Sequence, residues 1–276
     1  MKNYRSRTAF SIIELSIVTV IISILVGTII TASRISANAK LTTAQSLTAS
    51  SPVNDIDNLA LWYETTMPKS FDDLSADDGK TASTWYDLSA NKNNAIAGSA
   101  PTYTTNVING LPVLRFNGSN FLTFDGYPLV SSNYTIFVVT ARRSAQDFNV
   151  ILGGTASSAF NNLHVGYFIN GSPRFRFAHF SDGASGTDYI DTAVSSYVSP
   201  IFEVNTMLFD SNSGKIYYKN GTQIASVTTA AAKTVLGSWV GSAVGRLGAS
   251  YFNGDIAEII IFTKSLSFTE RKDVEQ

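Results

Sequence analysis

The chain has 276 residues, no cysteine and a formal net charge of −1 at pH 7. Nothing in this charge balance indicates a nucleic-acid partner, and the lack of cysteine excludes disulfides and thiolate zinc sites. Charged residues make up 15% of the chain, against about a quarter in typical soluble domains, which favours an extracytoplasmic β-protein.

Residues 10–30 form one apolar run, FSIIELSIVTVIISILVGTII, with Glu14 as its one charged residue. A helix rising about 1.5 Å per residue spans a hydrocarbon core about 30 Å thick with a run of this length. Its 14 Phe, Ile, Leu and Val residues supply about −6 kcal/mol of insertion free energy, against a cost of about 3 kcal/mol for an ionised carboxylate. The run therefore predicts a transmembrane helix.

The segment after this run is rich in Ser, Thr, Ala and Asn up to Pro52. Because Pro disfavours helix at the residue before it, we expect one transmembrane and stalk helix over residues 10–51, followed by a hinge over 52–58. Lys2, Arg5 and Arg7 precede the apolar run without any acid, which predicts a cytoplasmic N-terminus and an external C-terminal part.

The N-terminus resembles that of type IV pilins and pseudopilins, because the small residue Ala9 is followed by Phe10 and by Glu14 near the start of the apolar run. The resemblance implies a leader over residues 1–9, which a prepilin peptidase removes before methylating Phe10. The family's usual residue before the cut is Gly, where this chain has Ala9. Glu14 would then pair with the amine of a neighbouring subunit during assembly, and a membrane carboxylate does need such a cation.

Two other interpretations of the N-terminus stay open. Glu14 lies near the membrane edge, where it can reach headgroup water without any role in assembly. The segment can also be an ordinary secretory signal with a cleavage site at residues 37–39, Ala-Asn-Ala. The length of the apolar run and the acid within it favour the pilin-like interpretation.

Residues 59–276 contain short apolar runs separated by pairs such as Asn109-Gly110 and Asn220-Gly221, which supply the positive φ angles of tight hairpins. Such spacing predicts an antiparallel two-sheet sandwich. The continuous runs 136–139 and 259–261 are expected in central strands, and a Ser267–Glu270 capping box predicts a short terminal helix. The predicted strands are Leu59–Tyr63, Val113–Phe116, Phe121–Phe124, Tyr134–Ala141, Leu163–Ile169, Arg174–Phe180, Ile201–Phe209, Lys215–Lys219 and Ala257–Phe262.

Several of these segments together resemble laminin-G-like domains of the concanavalin A type. The segments are LWY at 61–63, WYDLS at 85–89 with Asn91 and Asn94, GLPVLRFNG at 110–118, YTIFVV at 134–139, IYYKNG at 216–221 and YFNGDIAE at 251–258. The resemblance implies an all-β fold, an antiparallel two-sheet jelly-roll sandwich over residues 59–276, preceded by one long N-terminal transmembrane α-helix.

We predict that the chain is not an enzyme. Polysaccharide-cleaving members of this fold use paired carboxylates in a Glu-x-Asp-x-x-Glu run, and this sequence has none. Asp255 and Glu258 are three residues apart, which places them on opposite faces of a regular strand, and Asp255 is expected to close a turn.

Candidate binding residues follow from residue type. Trp239, in a Gly-containing loop, is a candidate sugar platform, as are Tyr189 and Tyr197. Laminin-G-like domains often bind Ca²⁺ through Asp and Asn, which makes Asp87, Asn117 and Asp255 candidate ligands. The alternative is that these three residues are solvated turn formers.

The sequence thus predicts a minor pilin or pseudopilin of a type IV pilus or type II secretion-type filament, with a lectin-like head that binds glycan or protein. Its partners would be other pilin-like subunits, a prepilin peptidase and the bacterial inner membrane, before it reaches a pilus or the cell surface. The alternatives are a membrane-tethered carbohydrate-active enzyme and an anchored binding protein that never polymerises.

Overall fold

A computed structural model describes residues 12–72, 74–156, 162–168, 172–180, 189–195 and 201–276. Two helices and two eight-stranded antiparallel sheets make up most of this part of the chain. This architecture confirms the predicted β-sandwich with one long N-terminal apolar helix.

Helix α1 (Ile12–Ala49) begins the described chain and is long and apolar enough to cross a membrane. Its large apolar side chains from Ile17 to Ile29 are all exposed, because nothing in the head reaches them. Near its C-terminal end, side chains at helical spacing are half-buried against the head. These are Leu41, Ala44, Gln45 and Thr48.

The helix ends just before Ser51, whose hydroxyl accepts the Val53 N–H and caps a 3₁₀ turn at Pro52–Asp55. Gln45 also ties α1 to the head, since its Nε2 donates a 2.9 Å hydrogen bond to the carbonyl of Thr66. The segment predicted as a hinge is therefore a short ordered turn between helix and head.

The first sheet, sheet A, contains both termini of the sandwich and its longest strands. Its strands are β1 (Leu59–Glu64), β4 (Thr102–Ile108), β5 (Leu111–Asn117), β7 (Tyr134–Arg142), β12 (Glu203–Asp210), β13 (Gly214–Lys219), β14 (Thr222–Val227) and β18 (Asn253–Phe262). Their order is β14-β13-β12-β7-β18-β5-β4, with β1 also paired to β18. The continuous apolar runs predicted for central strands lie in β7 and β18, at the middle of this sheet.

The second sheet, sheet B, covers the inner face of sheet A. Its strands are β2 (Thr84–Trp85), β3 (Ala95–Ser99), β6 (Phe121–Thr123), β8 (Asn149–Gly154), β9 (Asn162–Phe168), β10 (Arg174–Phe180), β11 (Tyr189–Ala193) and β15 (Ser242–Val244). Their order is β11-β10-β9-β8-β15-β6-β3-β2. A two-stranded ribbon, β16 (Arg246–Leu247) and β17 (Ser250–Tyr251), contacts β8.

The space between the sheets is filled by aromatic and branched side chains, including the fully buried Trp85, Tyr63 and Phe116. Tyr63 stacks on Trp85 with ring centroids 5.3 Å apart. Hairpins turn where predicted: Asn109 and Asn220 adopt φ angles of 53° and 49°, each followed by a glycine with positive φ. The Asn-Gly pairs thus fix the hairpin turns.

A smaller apolar cluster lies on the outer face of sheet A and joins the chain ends to it. Trp62 and Ile260 pack there with Val53 of the 3₁₀ turn and with Leu266. Leu266 precedes helix α2 (Phe268–Glu275), which begins with the predicted capping box. This face is therefore where α1, the 3₁₀ turn and α2 meet the head.

Candidate functional site

The residues predicted to act in processing and assembly belong to the N-terminal end. Ala9 and Phe10 lie outside the described residues. Glu14 lies in the first turn of α1. Tyr197, a candidate sugar platform, also lies outside the described residues.

Trp239 is not the exposed platform that its loop suggested. Its side chain is 7% exposed, and its Nε1 donates a 2.7 Å hydrogen bond to the carbonyl of Gly153. Its ring meets Phe124 edge-on, with centroids 5.3 Å apart. The prediction for Trp239 needs correction, because these contacts bury the indole in the core.

The three candidate Ca²⁺ ligands take part in separate hydrogen-bond networks. Buried Asp87 accepts the backbone N–H groups of Trp62, Ser89 and Asn93 at 2.8–2.9 Å. Asn117 accepts from the N–H and hydroxyl of Ser119 in a local turn. No group of three or more His, Cys, Asp or Glu suited to a metal occurs in the part of the chain that the structure describes.

Asp255 lies inside strand β18 and not in a turn. Arginine side chains contact its carboxylate there. Arg115 on neighbouring β5 donates to both oxygens, at 2.7 and 3.0 Å, and Arg143 approaches at 3.4 Å. The side chain is fully buried under these guanidinium groups. Asp255 therefore forms an ion pair that links strands β5 and β18.

The prediction that Asp255 and Glu258 lie on opposite faces is wrong, because a β-bulge falls between them. The register of β18 against β7 shifts between Ile256 and Glu258. Ile256 and Ile259 both enter the main core, so the two acids lie on the same outer face of sheet A.

A cleft of about 880 Å³ lies at the β3–β6 side of sheet B. Four chain segments meet there, and amides predominate among its polar side chains. We call it the amide cleft. It is lined by Asn58, Leu59, Ala60, Asn91, Lys92, Asn93, Asn94, Ile96, Thr123, Phe124, Asp125, Pro128 and Thr263.

One wall of the amide cleft is the loop 91–94, which several hydrogen bonds fix in place. Asp87 holds the Asn93 N–H, and Asn94 Oδ1 accepts the Asp87 N–H in return at 3.0 Å. Asn91 Nδ2 donates to the carbonyls of Leu59 and Ala60 at 2.7 and 3.0 Å. The loop is therefore anchored to β1 before any ligand arrives.

The opposite wall is joined to this loop by a reciprocal pair. Asn93 Nδ2 donates to the carbonyl of Asp125 at 2.7 Å, and its Oδ1 accepts the Asp125 N–H at 2.9 Å. Asp125 Oδ1 in turn accepts the N–H of Tyr127 at 2.9 Å. These bonds preorganise both walls, which lowers the entropy cost of binding.

Exposed groups at the amide cleft combine polar and apolar surface. Lys92 and Asp125 are exposed, and Lys92 is held in the left-handed region with φ of 56°. Ile96 is 51% exposed, and Tyr127, between lining residues Asp125 and Pro128 in the chain, is 75% exposed. Such a cleft can offer hydrogen bonds to a hydroxylated ligand beside apolar and aromatic surface.

Sequence reasoning named Asn91 and Asn94 only as parts of a family resemblance and missed Tyr127. The run Asn91-Lys92-Asn93-Asn94 was an available signal, since Asn side chains hydrogen-bond to nearby backbone groups and favour turns. Tyr189 lies elsewhere, on β11 at the other end of sheet B, where the Arg176 guanidinium lies 4.7 Å from its ring centroid.

Comparison with known proteins adds information on the fold. No protein-family model matches the chain, and neither does any curated protein sequence. Among solved structures, the chain is similar to domain 4 of AbnA, a GH43 extracellular arabinanase from Geobacillus stearothermophilus, in complex with arabinotriose. That match has a TM-score of 0.55 and 17% identity, over 79% of this chain and 98% of that one.

Two further neighbours belong to larger chains. Trypanosoma rangeli sialidase in complex with sialic acid matches 80% of this chain with a TM-score of 0.53 and 11% identity, and this chain spans 33% of the sialidase. The binding domain of botulinum neurotoxin DC in complex with rat synaptotagmin II matches 81% with a TM-score of 0.53 and 14% identity, and this chain spans 52% of it. At these identities the similarities establish the fold.

These neighbours contradict the prediction that the chain is not an enzyme. They include chains of a glycoside hydrolase and of sialidases, although the match covers only part of each sialidase. The missing Glu-x-Asp-x-x-Glu run therefore does not exclude catalysis. The chain is an antiparallel β-sandwich of the lectin-like, jelly-roll type with an N-terminal apolar helix.

Proposed function

We propose that this protein is a pilin-like subunit whose jelly-roll head binds glycans in the amide cleft. The observation that carries the proposal is that one chain combines an exposed apolar helix with a polar cleft on its head. The apolar side chains of α1 between Ile17 and Ile29 are at least 47% exposed and need lipid or other helices to cover them. The head carries a preorganised polar cleft on a lectin-like sandwich.

The assembly half of the proposal is supported by the N-terminal motif. In this account the leader is residues 1–9, the peptidase cuts between Ala9 and Phe10, and Glu14 pairs with a neighbouring subunit. The membrane and stalk helix is 10–51, the segment 52–58 connects it to the head, and the head is 59–276. The protein would wait in the bacterial inner membrane with its head outside, then pack its helix with other pilin-like subunits into a pilus or a pseudopilus.

The glycan half is supported by cleft chemistry and by the ligands of the structural neighbours. Arabinotriose and sialic acid are bound by two proteins of similar fold. Asn91 and Asp125 line the amide cleft and provide polar groups. Tyr127, which lies between the lining residues Asp125 and Pro128 in the chain, provides an exposed aromatic ring next to it. Carbohydrates present hydroxyl groups and apolar ring faces, which suit this combination.

The test is glycan-array binding by the full chain in detergent micelles, with Tyr127→Ala as the variant. We expect a neutral oligosaccharide to bind the wild type and to bind Tyr127→Ala about tenfold more weakly, because a stacked ring is worth about 1 kcal/mol or more. Phe268→Ala is the matched control, since Phe268 is 72% exposed on the distant helix α2. Equal binding by all three proteins would contradict the assignment of this cleft.

A membrane-tethered carbohydrate-active enzyme is the second candidate. The glycoside hydrolase and sialidase neighbours favour it, and so does a carboxyl group poised near neutrality, because burial raises the pKa of Glu258 to about 7. Release of reducing sugar by the wild type, lost in Glu258→Gln, would support the enzyme over the binding subunit.

A further inference from the structure

A second pocket lies on the outer face of sheet B, away from the amide cleft. It has a volume of about 220 Å³, which is the space of about seven waters. We call it the arginine pocket. It is lined by Asp147, Phe148, Phe168, Arg174 and Arg176.

Arg176 forms the rigid floor of the arginine pocket. It donates from Nε and Nη2 to the two carboxylate oxygens of Asp191 at 2.8 and 2.7 Å. Its guanidinium is also stacked between the rings of Phe168 and Tyr189, each with a centroid 4.7 Å away. Since Asp191 balances the charge of Arg176, this arginine is structural.

Arg174 differs from Arg176 in exposure and in partners. Its side chain is 43% exposed, against 19% for Arg176. Its two hydrogen bonds, to Asp191 and to the Ser172 carbonyl, are both long at 3.3 Å. A guanidinium has five N–H donors in a fork that matches a carboxylate, so Arg174 has donors left for a ligand.

Phe148 completes the arginine pocket at some conformational cost. Its φ angle is 51°, in the left-handed region where a bulky residue is a genuine outlier. This backbone places a ring that is 40% exposed edge-on against Phe168, with centroids 5.1 Å apart. Strain of this kind persists where the surroundings enforce it and is often found at ligand sites.

We propose that the arginine pocket binds a single carboxylated sugar ring. The carboxylate would pair with the Arg174 guanidinium, the apolar face of the ring would pack on Phe148, and ring hydroxyls would donate to exposed Asp147. The inference deepens the proposed glycan-binding function and rests on it. A neutral sugar would leave the Arg174 guanidinium with its long 3.3 Å contact to Asp191, whereas a carboxylated sugar adds a second anionic partner, which gives the pocket its selectivity.

The test measures binding of methyl glucuronide and methyl glucoside to the full chain in detergent micelles by calorimetry. We expect the wild type to bind the glucuronide at least about tenfold more tightly, because a charge-assisted bidentate bond is lost with the neutral sugar. Arg174→Gln should abolish this preference, and Phe148→Ala should weaken glucuronide binding. Arg143→Gln is the matched control, since Arg143 has a side chain 40% exposed and lies outside the pocket.

Several outcomes would overturn the inference. They are equal affinity for the two sugars, an unchanged preference in Arg174→Gln, and competition by acetate as strong as by the glucuronide, which would indicate a plain anion site. If Arg174→Gln does not fold, Arg174→Lys keeps the charge without the fork, and an unchanged preference in that variant would also overturn it. Neutral-glycan binding sensitive to Tyr127→Ala, without a glucuronide preference, would leave the proposed function standing while this inference fails.

Discussion

The indole of Trp62 on β1 donates a 2.7 Å hydrogen bond from Nε1 to Glu258 Oε1 on the adjacent strand β18. Both residues border a cavity of about 550 Å³ between the sheet and the end of α1. Burial is the main reason that the pKa of Glu258 rises to about 7, and the bond from Trp62 opposes the rise. The junction of stalk and head therefore contains a carboxyl group that titrates near neutral pH.

This pKa predicts how pH affects stability. Because the pKa of folded Glu258 lies above its usual value of 4.5, the folded state holds the proton more tightly than the unfolded state. The contribution of Glu258 to the free energy of unfolding should be greatest below pH 4.5 and should fall by about 1–3 kcal/mol as the pH rises to about 7. The difference in stability between the wild type and Glu258→Gln should change by this amount between pH 5 and pH 8, measured by thermal unfolding of the full chain. A difference that is the same at both pH values would contradict the assignment.

His179 predicts the opposite dependence on pH. Its ring is buried against Tyr134 and the Thr234 carbonyl, and burial, with Lys215 nearby, holds its pKa well below the usual 6.5. The imidazole of His179 therefore binds a proton more readily in the unfolded state than in the folded state. Stability should fall as the pH drops through 6.5, by about 1.4 kcal/mol per pH unit.

The His179 effect is best measured in the Glu258→Gln background, which removes the opposing slope. Chemical unfolding between pH 4.5 and 7.5 should show stability falling toward acid, and adding His179→Gln should flatten the curve. Equal slopes with and without the imidazole would show that His179 does not cause the loss.

The Asp255–Arg115 pair predicts a strong asymmetry between single and double substitution. Arg115→Leu leaves a buried carboxylate with only the more distant Arg143, and should cost about 3 kcal/mol of unfolding free energy. Adding Asp255→Leu should recover much of that loss, because the unpaired charge disappears. A double variant as unstable as the sum of the two single variants would contradict this view of the pair.

Trp239 should matter for stability and not for ligand binding. Trp239→Ala removes a buried indole and should cost about 3–5 kcal/mol. Gly126→Ala tests the same contact from the other side, since an added Cβ would lie 2.5 Å from Trp239 Cε3. We expect both variants to melt at lower temperature, and the glycan affinity of Trp239→Ala below the transition should match the wild type. A lower glycan affinity of the folded Trp239→Ala variant would indicate that Trp239 does take part in ligand binding.

Local chemistry explains which parts of the fold were predictable. Asn-Gly pairs, the Ser267–Glu270 capping box and the apolar run of α1 act through neighbours in sequence, and the structure has hairpins and helices at those places. The prediction that Trp239 is an exposed platform was wrong because its partners are remote in sequence. The Gly153 carbonyl that its indole contacts lies 86 residues away. Loop composition could not indicate that contact.

The candidate site was hard to predict for the same reason. The amide cleft needs the segment around Asn58, the loop 91–94, the turn at Asp125 and the residue Thr263 to meet, and only sheet pairing brings them together. One β-bulge decided on which face of the sheet Asp255 and Glu258 lie. The regular alternation of side chains along a strand does not predict such a bulge. Register and long-range pairing, not residue type, decided these outcomes.

The measurement that tests the central claim most directly is mass spectrometry of the mature N-terminus, on protein purified from bacteria that express a prepilin peptidase. We expect a chain that begins with N-methylated Phe10 and has lost the leader of residues 1–9. A protein that retains Met1, or that begins after Ala39, would contradict the claim that this helix is processed for assembly with other pilin-like subunits.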